Sequence, residues 1–318
     1  MRPEMAPSVT IVIPTYNRCD LLPSCIDSCL MQRDVPLELI VVDDGSTDAT
    51  EAVLRAYGEQ VCYHRTTSRR GPNSARNSGL ACASGKYVKF LDHDDQLLPG
   101  TLRGEVDLAD TTAADIVVSG WVHELAGPRE APVFTSIVDD VLAGKAVPTS
   151  AALYRRSSLV GRAWDETLSK LDDWDFFVGT ALRCSRIETN AHPVYVWRQH
   201  PAQASRAASM AHNAREHHYI LRKVEEELAH RSELTPHRRK RLAQYFYKEL
   251  RTLALADPDL FRISLRHIYE LDPAFVPREE ERQRWMRVAC RVLGVRRALL
   301  LHSSAKRALR RGRMGAWE

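Results

Sequence analysis

The sequence predicts an α/β protein with a mixed, mainly parallel sheet, followed by an α-helical C-terminal extension. Three observations predict it. Short apolar, often β-branched runs alternate with segments of helical periodicity as far as Val122, the pattern of a parallel sheet covered on both faces. Several of these runs end in polar or acidic clusters, and ligands of open α/β sheets bind just past the carboxyl ends of the strands. From Ala207 onward the chain turns to long, charged, Leu- and Arg-rich helical patterns divided by Pro236, Pro258, Pro273 and Pro277.

Its 318 residues suffice for one large α/β domain plus an extension, and 44% hydrophobic with 27% charged residues is an ordinary globular composition. The shift in composition divides the chain into 1–205 and 206–318. The opening MRPEMAPS holds no apolar core of signal-peptide length, and no run reaches the roughly 18 apolar residues of a membrane span. The seven cysteines are scattered. Cys25 and Cys29 stand one helical turn apart with no second pair at metal spacing, which reads as helix packing. A reduced, cytoplasmic protein is expected.

Ser8–Pro14 is β-branched and predicts the first, central strand. After the turn Thr15–Arg18, Asp20 is placed to cap a helix carrying Leu21, Leu22, Cys25, Ile26, Cys29 and Leu30. Leu37–Val42 predicts a second strand ending at Asp43-Asp44-Gly45-Ser46, with Thr47 or Asp48 as the next cap. Val61–His64 predicts a third strand, Ala75–Ala83 a small-residue helix, Thr101–Leu108 another helix and Asp115–Val122 a fifth strand. No Gly-x-Gly-x-x-Gly follows the first strand, and no Gly-x-x-x-x-Gly-Lys occurs.

Between the third and fifth strands lies Lys86–Leu98, KYVKFLDHDDQLL. An apolar run from Tyr87 to Leu91 delivers Asp92, Asp94 and Asp95 around His93. Three acids at one strand end repel one another unless a cation offsets them. A hard ion such as Mg²⁺ or Mn²⁺, shared between one or two carboxylates and phosphate oxygens, suits such a cluster, and a solvated acidic turn is the alternative.

Four blocks in order, IVIPTYNR at 11–18, VVDDGSTD at 41–48, ARNSGL at 75–80 and FLDHDD at 90–95, resemble family 2 glycosyltransferases of the GT-A fold, a Rossmann-like nucleotide-diphospho-sugar transferase fold. The resemblance covers roughly residues 8–205. It implies a donor half over about 1–95, an acceptor half over about 96–205, and inverting transfer of a sugar from a nucleotide-diphosphate donor, UDP-sugar by default. The setting it implies is polysaccharide, glycolipid or glycoconjugate biosynthesis of the bacterial type. Pro14, Thr15 and Tyr16 are similar to the family's base pocket, and Asp44 to its base- or ribose-reading carboxylate, which accepts two strong hydrogen bonds. Arg76 is similar to the residue that reaches the nucleotide; an ion pair to Asp43 or Asp44 within the fold is its alternative. Asp92 and Asp94 match the Asp-x-Asp that holds Mn²⁺ or Mg²⁺ on the donor diphosphate, Asp94 being the better candidate for direct coordination.

On the acceptor side, VPTSAALYRR at 147–156 resembles the segment leading from donor to acceptor. In LSKLDDWDFF at 168–177, Asp172-Asp173 stands where the family carries an acidic pair, usually Glu-Asp, whose second member is the general base. This makes Asp173 the catalytic candidate, with Asp175 a nearby competitor and a helix-capping role the alternative. VYVWRQHPAQ at 194–203 resembles the end of the catalytic domain; by that likeness His200 is a further metal ligand or diphosphate contact and Arg198 a phosphate contact.

In the extension, Leu242, Tyr245, Phe246 and Leu250 are expected to face the catalytic domain or another subunit, the second giving a homo-oligomer. Trp285–Arg313 interleaves apolar residues with arginines, which suits either peripheral contact with an anionic membrane, at about 1 kcal/mol per basic residue, or an ordinary packed helix. The acceptor is left open among glycan, lipid-linked, protein and small-molecule classes. No aromatic-basic motif supports a nucleic-acid partner. Two other functions stay in view: a nucleotidyltransferase, which would need a glycine-rich loop after the first strand, and a non-catalytic sugar-nucleotide or peptide binding module.

Overall fold

The computed structural model describes residues 7–199 and 210–276. The chain divides into two compact units, Met1–Val141 with Lys145–Ser205, and Leu142–Gly144 with Arg206–Glu318.

In the first unit the early elements alternate: β1 (Val9–Thr15), α1 (Leu22–Leu30), β2 (Leu37–Asp43), α2 (Thr50–Ala56), β3 (Cys62–Arg65), α3 (Pro72–Cys82) and β4 (Tyr87–Phe90). A two-residue strand, β5 (Gln96–Leu97), follows the acidic turn. Then come α4 (Thr101–Thr112), β6 (Ile116–His123), β7 (Gly127–Arg129), α5 (Ile137–Leu142), β8 (Ala152–Arg155), α6 (Asp172–Ala181) and β9 (Ile187–Trp197). The sheet order is β3-β2-β1-β4-β8-β6-β9-β5, with β7 paired to β6.

Pairings around β1 and β2 are parallel, as the strand–helix alternation predicts, whereas β4–β8, β6–β8, β6–β7 and β5–β9 are antiparallel. The parallel half is apolar because it is covered on both sides: every residue of β1 and of β4 is buried. Even Lys89 of β4 is buried; its Nζ meets both oxygens of Glu105 at 3.0 Å, and Ser119 Oγ donates to the same carboxylate.

Local signals differ from the sequence reading at several helix starts. Asp20 does not cap α1, whose first turn opens at Leu21 without a side-chain cap. Asp48 does hold the start of α2, accepting from Thr50 N at 3.0 Å and from its hydroxyl at 2.6 Å. α3 begins at Pro72 instead of Ala75, since proline is at home in a first helical turn. Its Gly79 lies against β1, where a Cβ would fall on Val12 Cγ1. Gly79→Ala is therefore expected to destabilise the protein by about 1–3 kcal/mol despite alanine's better helix propensity, read as a lower unfolding midpoint.

The second unit contains α7 (Met210–His230), α8 (Pro236–Ala256) and α9 (Pro258–Leu271). Leu221, Leu228, Leu242 and Ile268 are among its buried apolar residues. Phe246 packs edge-on against His218 and His267 of the same unit at 5.2 and 5.1 Å, and Tyr245 lies 6.2 Å from His217. Tyr245 and Phe246 thus make ring contacts within the helical unit. The side chain of Leu250 and the stretch Trp285–Arg313 lie outside the described residues. No helix among the described residues is long and apolar enough to cross a membrane.

Candidate active site

The carboxyl ends of β1, β2 and β4 and the N-termini of α3 and α6 surround a cavity of about 400 Å³, within the usual range for small-molecule sites. Pro14, Thr15, Tyr16, Asp44, Arg76, Asp92, Asp94 and Asp173 all line it. Residues from five separate stretches of sequence thus meet in one place. His200 lies outside the described residues.

The acidic turn is held rigidly. Asp95 points inward, 3% exposed, where Ser150 Oγ donates to its Oδ2 at 2.8 Å. Burial, and then the charges of Asp92 and Asp94, push its carboxyl well above the usual range. Arg198 donates from Nε to the carbonyl of Asp94 and from Nη1 to Ser24 Oγ at 2.7 Å, fixing the turn against α1. The arginine expected at phosphate therefore also braces the backbone. His93 Nδ1 lies 3.1 Å from the Pro14 carbonyl and ties the turn to β1.

Arg76 is 5% exposed and joins the two halves of the site. Its Nη2 donates to Asp92 Oδ1 at 2.7 Å, and its Nη1 to Asp172 Oδ2 and Asn73 Oδ1, each at 2.9 Å. The guanidinium also lies over the Trp164 ring at 4.4 Å, and Trp164 stacks on Phe176 of α6 at 4.2 Å. An internal ion pair was one of the two sequence readings, but its partners are Asp92 and Asp172, not Asp43 or Asp44.

Those two acids have other work. Asp43 Oδ1 accepts from Ser46 N at 2.8 Å. Asp44 accepts from the backbone N–H of Arg70 at 2.9 Å, that of Gly71 at 2.6 Å and Thr66 Oγ1 at 3.2 Å, so its carboxylate shapes the 66–71 loop. That loop carries Arg69, whose guanidinium lies 4.3 Å over the Tyr16 ring. Beside Tyr16, the Thr15 hydroxyl is buried and has no hydrogen-bond partner among the described residues, so a buried polar group there is left to be satisfied.

α6 opens with Asp172, Asp173 and Asp175 in its first turn. Asp172 and Asp173 line the cavity; Asp175 is 4% exposed and does not. Burial, followed by the charge of Asp172, pushes the Asp173 carboxyl up to about 7. Capping and catalysis are both open to these acids, but only Asp173 combines a cavity position with a proton affinity matched to neutral pH.

Among the described residues, no group of three or more His, Cys, Asp and Glu is placed to hold a metal ion. Asp92 and Asp94 remain the oxygen donors that the turn offers at the cavity.

A sequence profile described as Glycosyl transferase family 2 matches residues 10–158, which includes the acidic turn and the 147–156 segment. A PGL/p-HBAD biosynthesis glycosyltransferase of Mycobacterium bovis is 32% identical over 184 residues, covering 54% of this chain and 68% of that protein. The chain belongs to glycosyl transferase family 2. A GalNAc(5)-diNAcBac-PP-undecaprenol beta-1,3-glucosyltransferase of Campylobacter jejuni is 41% identical over 100 residues, 30% of this chain and 32% of that protein. The chain thus spans about a third of the length of several curated family members. In fold it is similar to S. aureus TarS 1-349 in complex with UDP-GlcNAc, with a TM-score of 0.70, 18% identity, and coverage of 95% of this chain and 92% of that one. The GT-A fold expected from the four sequence blocks is the fold observed.

Sequence reasoning missed Ser150, Trp164, Arg69 and Trp197 as parts of the site. Ser150 and Trp197 lie in segments it did single out. Arg69 and Trp164 carry no motif of their own; Arg69 lines the cavity, and Trp164 joins the site as the ring under the Arg76 guanidinium.

Proposed function

We propose that this chain is an inverting glycosyltransferase that moves a sugar from a nucleoside-diphosphate donor to an acceptor hydroxyl, with Asp173 as general base. The observation that carries this reading is the single cavity lined by the Asp92–Asp94 turn and by Asp173, whose carboxyl is pushed up to about 7.

Tyr16 supplies an aromatic face for the base, and the unpartnered Thr15 hydroxyl a hydrogen-bonding group beside it. Asp44 supports this pocket by shaping the 66–71 loop, and its carboxylate, which lines the cavity, has acceptor capacity left for the nucleotide beyond its three donors from Thr66, Arg70 and Gly71. Arg76 is occupied by carboxylates, so in this reading it organises the site and does not anchor phosphate.

The donor set fits a hard divalent cation. Asp92 and Asp94 both line the cavity as carboxylates of one short turn. Asp92 gives Oδ1 to Arg76, and Mg²⁺ or Mn²⁺ needs only one or two carboxylates when phosphate oxygens supply the rest. Asp94 and Asp92 would hold the ion, and its chemistry there would be to offset charge on the departing diphosphate.

Asp173 accepts the proton of the acceptor hydroxyl as its oxygen forms a bond to the anomeric carbon. The bond from that carbon to the diphosphate oxygen breaks on the opposite face, and a single displacement inverts the centre. A nucleotidyltransferase is disfavoured by the β1–α1 turn, which is built from Thr15, Tyr16, Asn17 and Arg18 without glycine. An acceptor in polysaccharide or glycolipid synthesis fits the relatives named above.

The test is a thermal-shift screen of UDP-, GDP-, dTDP- and CMP-sugars with and without Mn²⁺. A ligand at a hundred times its dissociation constant adds about 2.7 kcal/mol of stability. Metal-dependent stabilisation by one nucleotide class, absent in Asp94→Ala, is the expected result; no stabilisation by any of them would refute the reading.

A further inference from the structure

Two aromatic rings flank the acidic turn, and the donor reading uses only one. Tyr16 follows β1; Trp197 ends β9, opposite His123 of β6 in the strand register. In the sheet order β8 and β6 separate β9 from β4. Trp197 therefore lies across β4 from β1 and Tyr16, while lining the same cavity as Asp173.

Its position is fixed from three directions. The His123 ring meets it edge-on at 5.2 Å and 68°. The next residue, Arg198, is bound to the Asp94 carbonyl and to Ser24 Oγ. Immediately before it, Val196 pairs with Gln96 of β5, which directly follows Asp95. The ring is thus registered to the acidic turn through backbone on both sides.

Its surface is also unlike that of the buried tryptophans. Trp164 and Trp174 are 3% exposed in the core, whereas Trp197 is half-buried. Of the three Tyr and Trp rings lining the cavity, Tyr195 is 1% exposed and Tyr16 lies under Arg69. Among the described residues, Trp197 is the one of the three that keeps an accessible surface with no cation over it. An indole face is apolar and electron-rich, and the C–H face of a pyranose ring is apolar and weakly electropositive, so the two match in shape and in charge.

We propose that Trp197 is the stacking platform for a sugar ring of the acceptor, so that the substrate attacked is a glycan or glycoside and not an amino-acid side chain or a simple alcohol. This rests on the reading of the cavity as a donor and acceptor site, and names the acceptor class for it.

The experiment uses saturation-transfer difference NMR on the full chain in the presence of UDP and the diamagnetic ion Mg²⁺. The probes are methyl β-D-glucopyranoside, methyl β-D-galactopyranoside and methyl N-acetyl-β-D-glucosaminide, with glycerol as a ring-free polyol. At least one glycoside is expected to receive saturation on the C–H protons of one ring face, and glycerol none. Trp197→Ala should weaken that binding about tenfold or more while leaving the nucleotide-induced thermal shift unchanged. Trp197→Phe, which retains an aromatic face, should preserve it. Trp197→Leu, which fills the volume without a ring, should lose it, and this pair decides the matter if the alanine variant does not fold. A wild type that binds none of the glycosides, or a leucine variant that binds them as the wild type does, would overturn the proposal. Failure of the donor reading shows separately, as the absence of any nucleotide-induced thermal shift.

Discussion

Asp173→Asn is expected to lower kcat by about 10³-fold while nucleotide affinity stays within about twofold of wild type. The asparagine is nearly isosteric, so α6 and the Trp174 N–H contact to Oδ1 at 2.7 Å have little reason to rearrange; what disappears is the group that accepts a proton. The same assignment fixes the pH dependence. With the carboxyl at about 7, wild-type kcat/KM should rise with pH, reach half its plateau near 7 and level off above it. Stability runs the other way. A carboxyl whose folded value is raised contributes stability that is fully present below its ordinary value, near 4, and is lost as pH rises through about 7. The stability difference between Asp173→Asn and wild type should therefore shift in favour of the variant between pH 5 and pH 8. Thermal unfolding at both values checks this, and kinetics across the same range check the activity limb.

Arg76→Met is expected to cost about 3 kcal/mol of stability and most of the activity. Removing one partner of a buried ion pair leaves the other charge uncompensated, at about 3–5 kcal/mol. The lower figure applies because the Asp92 side chain is 37% exposed and keeps some hydration, whereas Asp172 at 15% is mostly cut off from water. Arg76→Lys should recover only part of the loss, since an ammonium is a point charge without the planar fork that serves Asp92, Asp172 and Asn73 together. A second readout separates placement from simple destabilisation. Among the causes acting on Asp173, the Arg76 charge pulls its carboxyl down. Losing that charge should move the midpoint of the kcat/KM profile to higher pH, measured at a temperature where the variant is folded.

The donor half was largely readable from sequence because each of its blocks is local. A β-branched run, a turn and an acidic pair appear in that order, and the parallel pairings of β1, β2 and β4 follow from the helices between them. The part of the sheet built by β6, β8 and β9 was less readable. β8 pairs with both β4 and β6, and β9 with both β6 and β5, over separations that no local periodicity encodes. Arg76 shows the same limit at one residue: its motif marked it as important, yet its partner Asp172 is 96 residues away. Asp44 shows another. A carboxylate after a strand reads as a ligand group, and its acceptance of the Arg70 and Gly71 backbone N–H groups is a further use that leaves no side-chain signature. Asp95 is the third case. Asp-His-Asp-Asp gives no indication of which acid turns inward, and Ser150 beneath the turn decides it.

The most direct test of the account is a calorimetric titration of the wild type and of Asp94→Ala with UDP, each with and without saturating Mn²⁺. The account predicts that Mn²⁺ tightens UDP binding to the wild type by at least about tenfold, near 1.4 kcal/mol, and that Asp94→Ala removes this gain while retaining weak, metal-independent binding through the Tyr16 side of the cavity. An Asp94→Ala protein whose UDP affinity still rises with Mn²⁺ as the wild type's does would contradict it.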